Sequence, residues 1–445
     1  MRSFILFLAL FSFGKVQAQT YGWYTEGDFE PVSRAKVTIV NTLNIERSDC
    51  PVIIPANLLP VQSLDQTWVT VVDPTLPPQP RPTIEELKKI GSGAALEETN
   101  GHAIPYQFDD INQDGLGDEI FFMTDYKPGE TKTFFIYFGE NWRGGTPHET
   151  HAGMGTYGRH LVPWWESKLI GWKMWYPNSV DLYGKRTPML VANLEGSGEI
   201  SGYTAPYEFG SDILSVAETF GAGGICLFED PDRPDVISRP RFNPNQAKGP
   251  IFGTRFAFHV VVNGPLRSMI RAHTMHWQTG SGDYELEQLY TAYKNKSYST
   301  CKVAFLRFHP KNSGTQFGCG MRKIMNQYKL YKEDGVIISF GKDLVITDPD
   351  VDPLWETQHT VDFEAIALMV KNAYRPVFQE ISDFGGNVTF RIPVTENHTY
   401  EYLIAAGWSE GTVNRSEREF TDYVLNVQKE YNNPVVVKNV SYETK

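Results

Sequence analysis

The sequence predicts an all-β protein, and three observations support this prediction. Aromatic residues make up 13% of the 445 residues, and the chain holds 38 glycines and 28 prolines. Short runs of β-branched and aromatic residues alternate with turns rich in Gly, Asn and Pro. Segments rich in Ala and Leu, which are typical of helical bundles, are few. We therefore expect an N-terminal β-rich part followed by one large antiparallel sheet system.

The first 18 residues have the features of a secretory leader. Met1 and Arg2 precede an apolar run from Phe4 to Phe13, and Val16 and Ala18 frame a small-residue cleavage site. No later run of about 18 apolar residues follows, so the sequence predicts no membrane span. We expect an exported protein, located in the periplasm or secreted.

Behind the leader, residues 1–18, we predict two domains. Residues 19–155 form the N-terminal β-rich domain, with strands over Ala35 to Val40 and Thr67 to Val72 and one short helix over Ile84 to Lys89. Residues 156–445 form the second domain. It ends in a helix over Ser416 to Glu430, in which Phe420, Tyr423, Val424 and Val427 recur at helical spacing.

Charge restricts the classes of partner. The formal net charge is −12, and loss of Arg2 and Lys15 with the leader lowers it by two, to −14. Such a chain lacks the basic surface that nucleic acid requires. An acidic substrate would need a locally basic cleft to overcome the negative field of the whole protein.

Cysteine usage predicts no disulfide scaffold and no zinc site. Cys50, Cys226, Cys301 and Cys319 are few and widely spaced. Cys301 lies in a strand-like apolar run that ends at Phe305, which favours a small buried thiol. The spacing does not predict a pairing.

An Asp-rich segment before the strand at Ile120 resembles a calcium-binding loop. Asp110, Asn112, Asp114 and Asp118 occupy its first, third, fifth and ninth positions. Gly115 takes the sixth position, but Phe121 stands where a bidentate Glu belongs at the twelfth. Because Asp, Asn and Gly also favour ordinary tight turns, a structural Ca²⁺ ion and a plain turn both remain open.

Two successive hairpins predict a basic row on one sheet face. Turn residues around Gly264 and between Gly280 and Ser281 set strands over residues 253–262, 266–277 and 284–293. With these turn centres, Arg255 pairs with His273, Ala257 with Arg271, His273 with Gln288 and Arg271 with Tyr290. One face would then carry the following residues: Arg255, His259, Arg271, His273, Gln288 and Tyr290. A solvated face without a ligand is the alternative.

The opposite face would carry Glu285 and Glu287 near His276. A pair of carboxylates suggests glycoside hydrolysis, with one acid and one nucleophile or base. Two carboxylates at positions i and i+2 point the same way, however, so an ion-paired solvated face is the other interpretation.

Several short motifs, taken in order, resemble a known family. They are Trp164 to Lys173, Asp181 to Pro188, Ser211 to Val216, Gly221 to Ile225, Asn263 to Arg267 and Ala405 to Ser409. In this order and spacing they resemble DUF4861, a family of secreted Bacteroidetes proteins, over most of the chain. The Asp-rich turn near Asp114 also suits that family. The sequence departs from it at Tyr207 and Glu208, where relatives often have a Tyr-His pair.

The resemblance implies a fold and an activity. It implies a galactose-mutarotase-like supersandwich, and an oligosaccharide dehydratase that makes a 4,5-unsaturated uronate from ulvan or other uronate-rich glycans. Such an elimination needs a base, an acid and a group that neutralises the carboxylate. On the basic row, Arg255 and Arg271 would bind the carboxylate, Gln288 would contact the sugar, and His273 and Tyr290 would exchange protons in either order.

Further candidates come from the motifs. Lys185 and Arg186 would line the basic cleft, Asp212 would orient a base or a sugar hydroxyl, and His160 is a second candidate base. Trp165 would stack on a sugar ring, although packing is the commoner role of tryptophan.

We therefore expect a hydro-lyase that acts on acidic, possibly sulfated oligosaccharides and requires no cofactor. Two alternatives remain. A polysaccharide lyase would use the same proton abstraction but expel a sugar, and a non-catalytic protein would only bind the acidic glycan. The sequence leaves the oligomeric state open.

Overall fold

The computed structural model describes most of the chain from residue 22 onwards. The described residues are 22–25, 29–59, 69–78, 83, 85, 88, 102–139, 146–157, 160–176, 179–199, 206–216, 219–240, 253–345, 359–382 and 386–445. The predicted leader lies outside them, as does the predicted helix over Ile84 to Lys89 apart from Glu85 and Lys88.

Two antiparallel sheets form an N-terminal sandwich. The first has the order β24-β1-β6-β3 and consists of β1 (Ser33–Val40), β3 (Val69–Val72), β6 (Thr131–Phe138) and β24 (Val436–Thr444). The second has the order β2-β5-β4 and consists of β2 (Arg47–Pro55), β4 (Tyr106–Asp109) and β5 (Glu119–Tyr126). A short 3₁₀ helix, Ala56–Leu58, follows β2. Alternating apolar residues such as Val37, Ile54 and Ile136 fill the space between the sheets.

The observed sheets cross the predicted domain boundary. Strand β24 pairs with β1, with Val37 opposite Val440, so the end of the chain completes the N-terminal sandwich. Residues 156–445 therefore do not form the second unit alone. The boundary at residue 155 also falls inside a strand, β7 (Thr150–Tyr157).

An eight-stranded antiparallel sheet is the largest element of the second part. Its order is β13-β14-β15-β16-β23-β20-β19-β18. The strands are β13 (Arg255–Asn263), β14 (Arg267–Thr279), β15 (Gly282–Tyr293), β16 (Tyr298–Pro310), β18 (Lys329–Glu333), β19 (Val336–Val345), β20 (His359–Val370) and β23 (Thr399–Trp408). A 3₁₀ helix, Asn372–Tyr374, follows β20.

Two smaller antiparallel sheets form the opposing layer. The five-stranded sheet, of order β11-β10-β9-β8-β7, consists of β7, β8 (His160–Ser167), β9 (Ile170–Tyr176), β10 (Ser179–Lys185) and β11 (Gly210–Asp212). The four-stranded sheet, of order β12-β17-β22-β21, consists of β12 (Gly224–Phe228), β17 (Gln316–Arg322), β21 (Val377–Ile381) and β22 (Asn387–Ile392). A parallel bridge between Val180 and Gly221 joins them.

The main core lies between these two layers. Trp172 from the five-stranded sheet, Phe317 from the four-stranded sheet and Ile270 from the eight-stranded sheet are all fully buried there. We call this side of the eight-stranded sheet its inner face and the other side its outer face. The all-β prediction, with a large antiparallel sandwich, is confirmed.

Two helices complete the described fold. Helix α1 (Ala192–Gly196) is a single turn after β10, and helix α2 (Glu417–Asn432) packs on the outer face through Phe420, Val424 and Val427. The hydroxyl of Ser416 accepts a hydrogen bond from the Glu419 amide, so α2 begins at a capping residue. The predicted C-terminal helix is confirmed. No helix in the described ranges is long and apolar enough to cross a membrane.

A buried polar network joins the N-terminal sandwich to the outer face. The Arg267 guanidinium donates to Asp109 at 2.6 Å and also pairs with Glu119. The Gln107 side-chain oxygen accepts from the amides of Leu266 and Arg267 at 2.8 and 2.9 Å. These contacts fix the Asp-rich turn, which lies between β4 and β5, beside β13 and β14.

Candidate active site

The outer face of β13 to β16 carries a cluster of ionisable side chains, which we call the outer-face patch. Its members are Arg255, His259, Arg271, His273, Glu285, Glu287 and Arg307. Arg255 and His259 are exposed, and the other five are half-buried. Their neighbours along the strands, such as Phe258 and Leu286, pack into the inner core. Strand alternation therefore separates the patch from the core.

His273 and Glu285 form the centre of the patch. The Nε2 atom of His273 lies 2.9 Å from Oε1 of Glu285, and the Arg307 guanidinium donates to the other carboxylate oxygen at 2.8 Å. The His273 side chain is 22% exposed and that of Glu285 is 20% exposed. Among the described residues, Nδ1 of His273 has no hydrogen-bond partner. The carboxylate thus orients the ring and leaves one ring nitrogen available.

Arg271 links the patch to the Asp-rich turn. Its Nη2 atom donates to the Ile111 carbonyl at 2.6 Å, and its Nε atom lies 3.5 Å from Glu287. The Gln113 side chain also donates to the Val260 carbonyl, at 3.4 Å. The turn therefore forms a wall beside the patch, and Arg271 is already engaged.

Two β-bulges surround Glu285. On β14, Met275 and His276 together oppose Glu285, because Thr274 pairs with Leu286 and Trp277 with Tyr284. His276 has a φ of +53°, in the left-handed region that is uncommon for residues other than glycine. On β16, Leu306 is the extra residue between Phe305 and Arg307. Bulges re-aim side chains and are frequent beside active sites.

The first bulge explains why the predicted second hairpin is wrong. The turn lies between Gly280 and Ser281 as predicted, with Thr279 opposite Gly282. Beyond the bulge the register changes by one residue, so His273 faces Glu287 instead of Gln288. A shift of one residue moves every side chain to the other face.

Tyr290 and Gln288 consequently lie on the inner face and do not meet His273. Tyr290 packs on Trp165 with ring centroids 4.7 Å apart, and Gln288 donates to the Tyr290 hydroxyl at 2.7 Å. Burial raises the pKa of Tyr290 well above its ordinary value of 10. The predicted proton exchange between His273 and Tyr290 is therefore wrong, and Gln288 does not contact a ligand on the outer face.

The register of the first hairpin differs from the predicted one, but the predicted residues still lie on the same face. Ala257 is opposite His273 and His259 is opposite Arg271, two residues from the predicted register. A longer turn and a bulge between Val260 and Val262 together produce this shift. An even shift preserves the face, so Arg255, His259, Arg271 and His273 lie together.

Glu285 and Glu287 lie on the face of His273, not on the opposite face as predicted. Each already pairs with a cation, Glu285 with Arg307 and Glu287 with Arg271. Because their side chains project in the same direction from one strand, they do not flank a glycosidic bond. The glycosidase interpretation finds no support in this geometry.

The Asp-rich turn satisfies its carboxylates with its own backbone. Asp110 accepts from the amides of Asp114 and Gly115 at 3.2 and 2.8 Å, and Asp118 accepts from Ile111 and Asn112 at 2.7 and 3.0 Å. The Asn112 amide nitrogen lies 3.2 Å from oxygens of both Asp114 and Asp118. The described residues contain no cluster of acidic, His or Cys side chains arranged to hold a metal ion. The four oxygen-bearing side chains lie close together, Asn112 and Asp114 exposed and Asp110 and Asp118 half-buried, and Ca²⁺ stays a prediction.

One family model matches most of the chain. The model of a domain of unknown function, DUF4861, matches residues 39–437. The chain belongs to the DUF4861 family. The resemblance predicted from the short motifs is thereby confirmed.

Solved structures resemble the DUF4861 protein only distantly. A protein of glycosyl hydrolase family 38 from Enterococcus faecalis is 8% identical, with a TM-score of 0.48, and the match covers 93% of this chain and 47% of that one. An alpha-mannosidase from Enterococcus faecalis V583 is 10% identical, with a TM-score of 0.46, covering 94% and 46%. The DUF4861 chain thus spans about half the length of these structures. No curated protein matches it in sequence.

Three of the motifs that carry the family resemblance, Trp164 to Lys173, Asp181 to Pro188 and Ser211 to Val216, lie in or next to the five-stranded sheet, away from the outer-face patch. Lys173 lies 2.9 Å from Asp212 and 3.3 Å from Asp181, and all three side chains are buried. Burial and the neighbouring Asp212 raise the pKa of Asp181. In this arrangement Asp212 neutralises Lys173 instead of orienting His273.

Lys185 and Arg186 are also engaged within the DUF4861 fold. The fully buried Lys185 ammonium pairs with Glu166 and donates to the Met189 carbonyl at 2.7 Å. Arg186 pairs with Glu410 and lies over the Trp408 ring. The two cations therefore do not join Arg255 and Arg271 in one cleft as predicted.

Trp165 and His160 are the remaining predicted site residues. Trp165 is fully buried and donates to the Ser299 hydroxyl at 2.8 Å, so it is a packing residue and not a sugar platform. His160 begins β8 opposite Tyr157, but its side chain lies outside the described residues.

Sequence reasoning missed Arg307 as a site residue and placed Glu285 and Glu287 on the wrong face. A signal for the correct faces was present in the spacing of buried residues. Inward positions 270, 272 and 274 on β14 are followed by Trp277, and Cys301, Val303 and Phe305 on β16 are followed by Phe308. Each step of three marks an extra residue in a two-residue repeat, which indicates a bulge.

Proposed function

We propose that this DUF4861 protein is an exported carbon-oxygen lyase that dehydrates the non-reducing-end uronic acid of acidic oligosaccharides such as ulvan fragments. The product is a 4,5-unsaturated uronate, which suits a downstream unsaturated-glucuronyl hydrolase. One observation carries the proposal: the half-buried His273 is oriented by Glu285, which lies between two bulges, on a face with three arginines. Family membership adds support through the activity that the resemblance implies.

His273 is the proposed base. It removes the proton from C5 while the C4–O bond breaks, and a C4=C5 double bond forms as water departs. Glu285 holds the ring and stabilises the imidazolium that develops as the proton arrives. Its second oxygen is held by Arg307, which keeps the carboxylate in place.

Arg255 is the proposed partner of the substrate carboxylate. It is exposed, and it lies diagonally from His273 because Met275 is opposite Arg255 and Ala257 is opposite His273. A guanidinium matches a carboxylate in a bidentate manner, and neutralising that charge stabilises the carbanion-like state at C5.

The proposal is tested with the mature protein and saturated, uronate-terminated oligosaccharides from ulvan and pectin. The measurements are ultraviolet absorbance of the unsaturated product and product mass, with and without a chelator. Loss of one water at unchanged chain length supports the dehydratase. A shortened chain with new absorbance identifies a polysaccharide lyase, and binding without either signal identifies a glycan-binding protein.

The variant His273→Gln connects the activity to the outer-face patch. It should abolish turnover and retain binding, because it removes the base and leaves the arginines. His148→Gln is the matched control, since His148 is exposed in the segment before β7 and takes no part in the described contacts of the patch. Full activity of His273→Gln would remove the patch from the mechanism.

A further inference from the structure

The dehydration leaves one role unfilled, the acid that protonates the departing O4. Tyr290, the predicted acid, is fully buried on the inner face. Glu285 and Glu287 already pair with Arg307 and Arg271, and arginine does not release a proton in proteins. The acid must therefore be another side chain that reaches the same face.

We infer that His259 is this acid and that it acts together with His273 as a two-histidine pair. The inference rests on the proposed dehydration. His259 is exposed on β13, the strand next to His273, and its side chain projects from the same face. The residues beside it, Phe258 and Val260, pack towards the inner core, which fixes the outward direction of His259.

The register sets a suitable separation between the two rings. His259 is opposite Arg271, and His273 is two residues further along β14. Such diagonal neighbours in an antiparallel pair have Cβ atoms about 7 Å apart. Two imidazoles at this spacing can approach one sugar ring together, each within about 3 Å of its own atom.

Polar and ionisable groups from three neighbouring segments lie around His259. Arg271 faces it on β14, Arg255 lies four residues earlier on β13, and His273 lies diagonally. The Asp-rich turn approaches through Gln113, which donates to the Val260 carbonyl. Strand β7 meets the far end of β13, where the Ala152 amide donates to Asn263, and His151 of this strand lies 3.9 Å from Glu166.

The proton balance closes in each turnover. His273 gains the C5 proton, His259 gives its proton to O4, the C4–O bond breaks and water leaves. The two rings then return to their starting states by exchange with solvent. No oxidant, reductant or additional reactant is required.

The test compares two leaving groups on the same uronate-terminated oligosaccharide. One substrate carries the natural 4-hydroxyl group, and the other carries fluorine at C4. Fluoride departs as an anion without a proton on oxygen, and both substrates give the same unsaturated product. A residue that acts only as the acid is therefore needed for the first substrate and dispensable for the second.

We expect His259→Gln to lose about 100-fold or more in kcat on the hydroxyl substrate, the usual contribution of a general acid. On the fluoride it should remain within about 3-fold of the wild type, while KM for both substrates is nearly unchanged. His273→Gln should be inactive on both, because the C5 proton must leave in either case. Circular dichroism and melting temperature verify that each variant is folded.

His276→Asn serves as the rival variant, because His276 is the other exposed histidine of this hairpin. Asn tolerates the left-handed backbone that His276 adopts, so the bulge is preserved. A selective loss on the hydroxyl substrate in His276→Asn but not in His259→Gln overturns the inference, as does full activity of His259→Gln. A wild type that releases no water from the hydroxyl substrate refutes the proposed dehydration itself.

Discussion

Glu285→Gln tests whether the carboxylate beside His273 contributes to turnover. The substitution keeps the size of the side chain and removes its charge. In the wild type, Oε1 of Glu285 lies 2.9 Å from Nε2 of His273. In the proposed mechanism the interaction is a hydrogen bond to a neutral ring before the proton transfer and an ion pair after His273 takes up the C5 proton. Only the difference in interaction free energy between the hydrogen bond and the ion pair affects the rate.

The magnitude follows from the separation and the exposure. Two unit charges at this distance attract by about 1.4 kcal/mol in a water-like dielectric and by about 6 kcal/mol at an effective dielectric of about 20. Both side chains are about one-fifth exposed, so a value near the lower end, about 2 kcal/mol, is appropriate. We therefore expect kcat/KM to fall about 30-fold.

Glu287→Gln is the matched control. Glu287 lies two residues away on the same strand and face, and it pairs with Arg271 at 3.5 Å. Its substitution removes the same charge from the patch without touching the Glu285 bond to His273. The assay is the initial rate of unsaturated product at several substrate concentrations. Equal losses in both variants, or an unaltered rate in Glu285→Gln, would refute the orienting role of Glu285.

Three further predictions concern residues outside the patch: a buried carboxyl group, a buried ion pair and the Asp-rich turn. Glu364 is fully buried, neither of its carboxylate oxygens has a hydrogen-bond partner among the described residues, and burial raises its pKa well above 4.5. Because the unfolded chain loses this proton first, stability falls as pH rises above 4.5. We therefore expect the free energy of unfolding of Glu364→Gln to rise by about 1.4 kcal/mol per pH unit above pH 4.5, relative to that of the exposed control Glu396→Gln. Urea unfolding from pH 4 to 7 measures both variants, and parallel curves of stability against pH would contradict the prediction. Arg267→Met should lower the free energy of unfolding by about 3–5 kcal/mol, because it leaves Asp109 buried without its cation. Adding Asp109→Asn should restore part of this stability. No recovery in the double variant would argue against a stabilising pair between Arg267 and Asp109. Ca²⁺ should raise the melting temperature of the wild type but not of Asp114→Ala, and equal shifts would place the ion elsewhere.

Much of the fold was predictable because the signals for it are local. The alternation in β1 and β5, the turn between Gly280 and Ser281, and the helical spacing from Phe420 to Val427 each depend on a few neighbouring residues. Strand β24 was not predictable in the same way. It pairs with β1 across nearly the whole chain, and no local pattern specifies a partner at that sequence distance.

The candidate site was predictable only in part because its faces depend on the register. The turn between Gly280 and Ser281 is placed correctly, but a single bulge between that turn and the site reverses the faces beyond it. His276 in β14 concealed such a bulge, since glycine is the usual marker of a left-handed residue in a strand. The predicted partner Tyr290 consequently belongs to the core, and Glu285 takes the position beside His273.

The presence of Glu285 and Glu287 on the face of His273 changes how the patch would recognise an anion. A row of arginines and histidines alone would attract acidic glycans through its field. Instead, Arg271 is balanced by Glu287, and Arg307 is balanced by Glu285 and also lies 3.5 Å from Asp283. In a protein with a net charge of −12, these pairs leave little positive potential on the face. Recognition would then depend on the fit of one carboxylate to the particular side chains beside His273, which suits a single terminal uronate better than a densely charged chain.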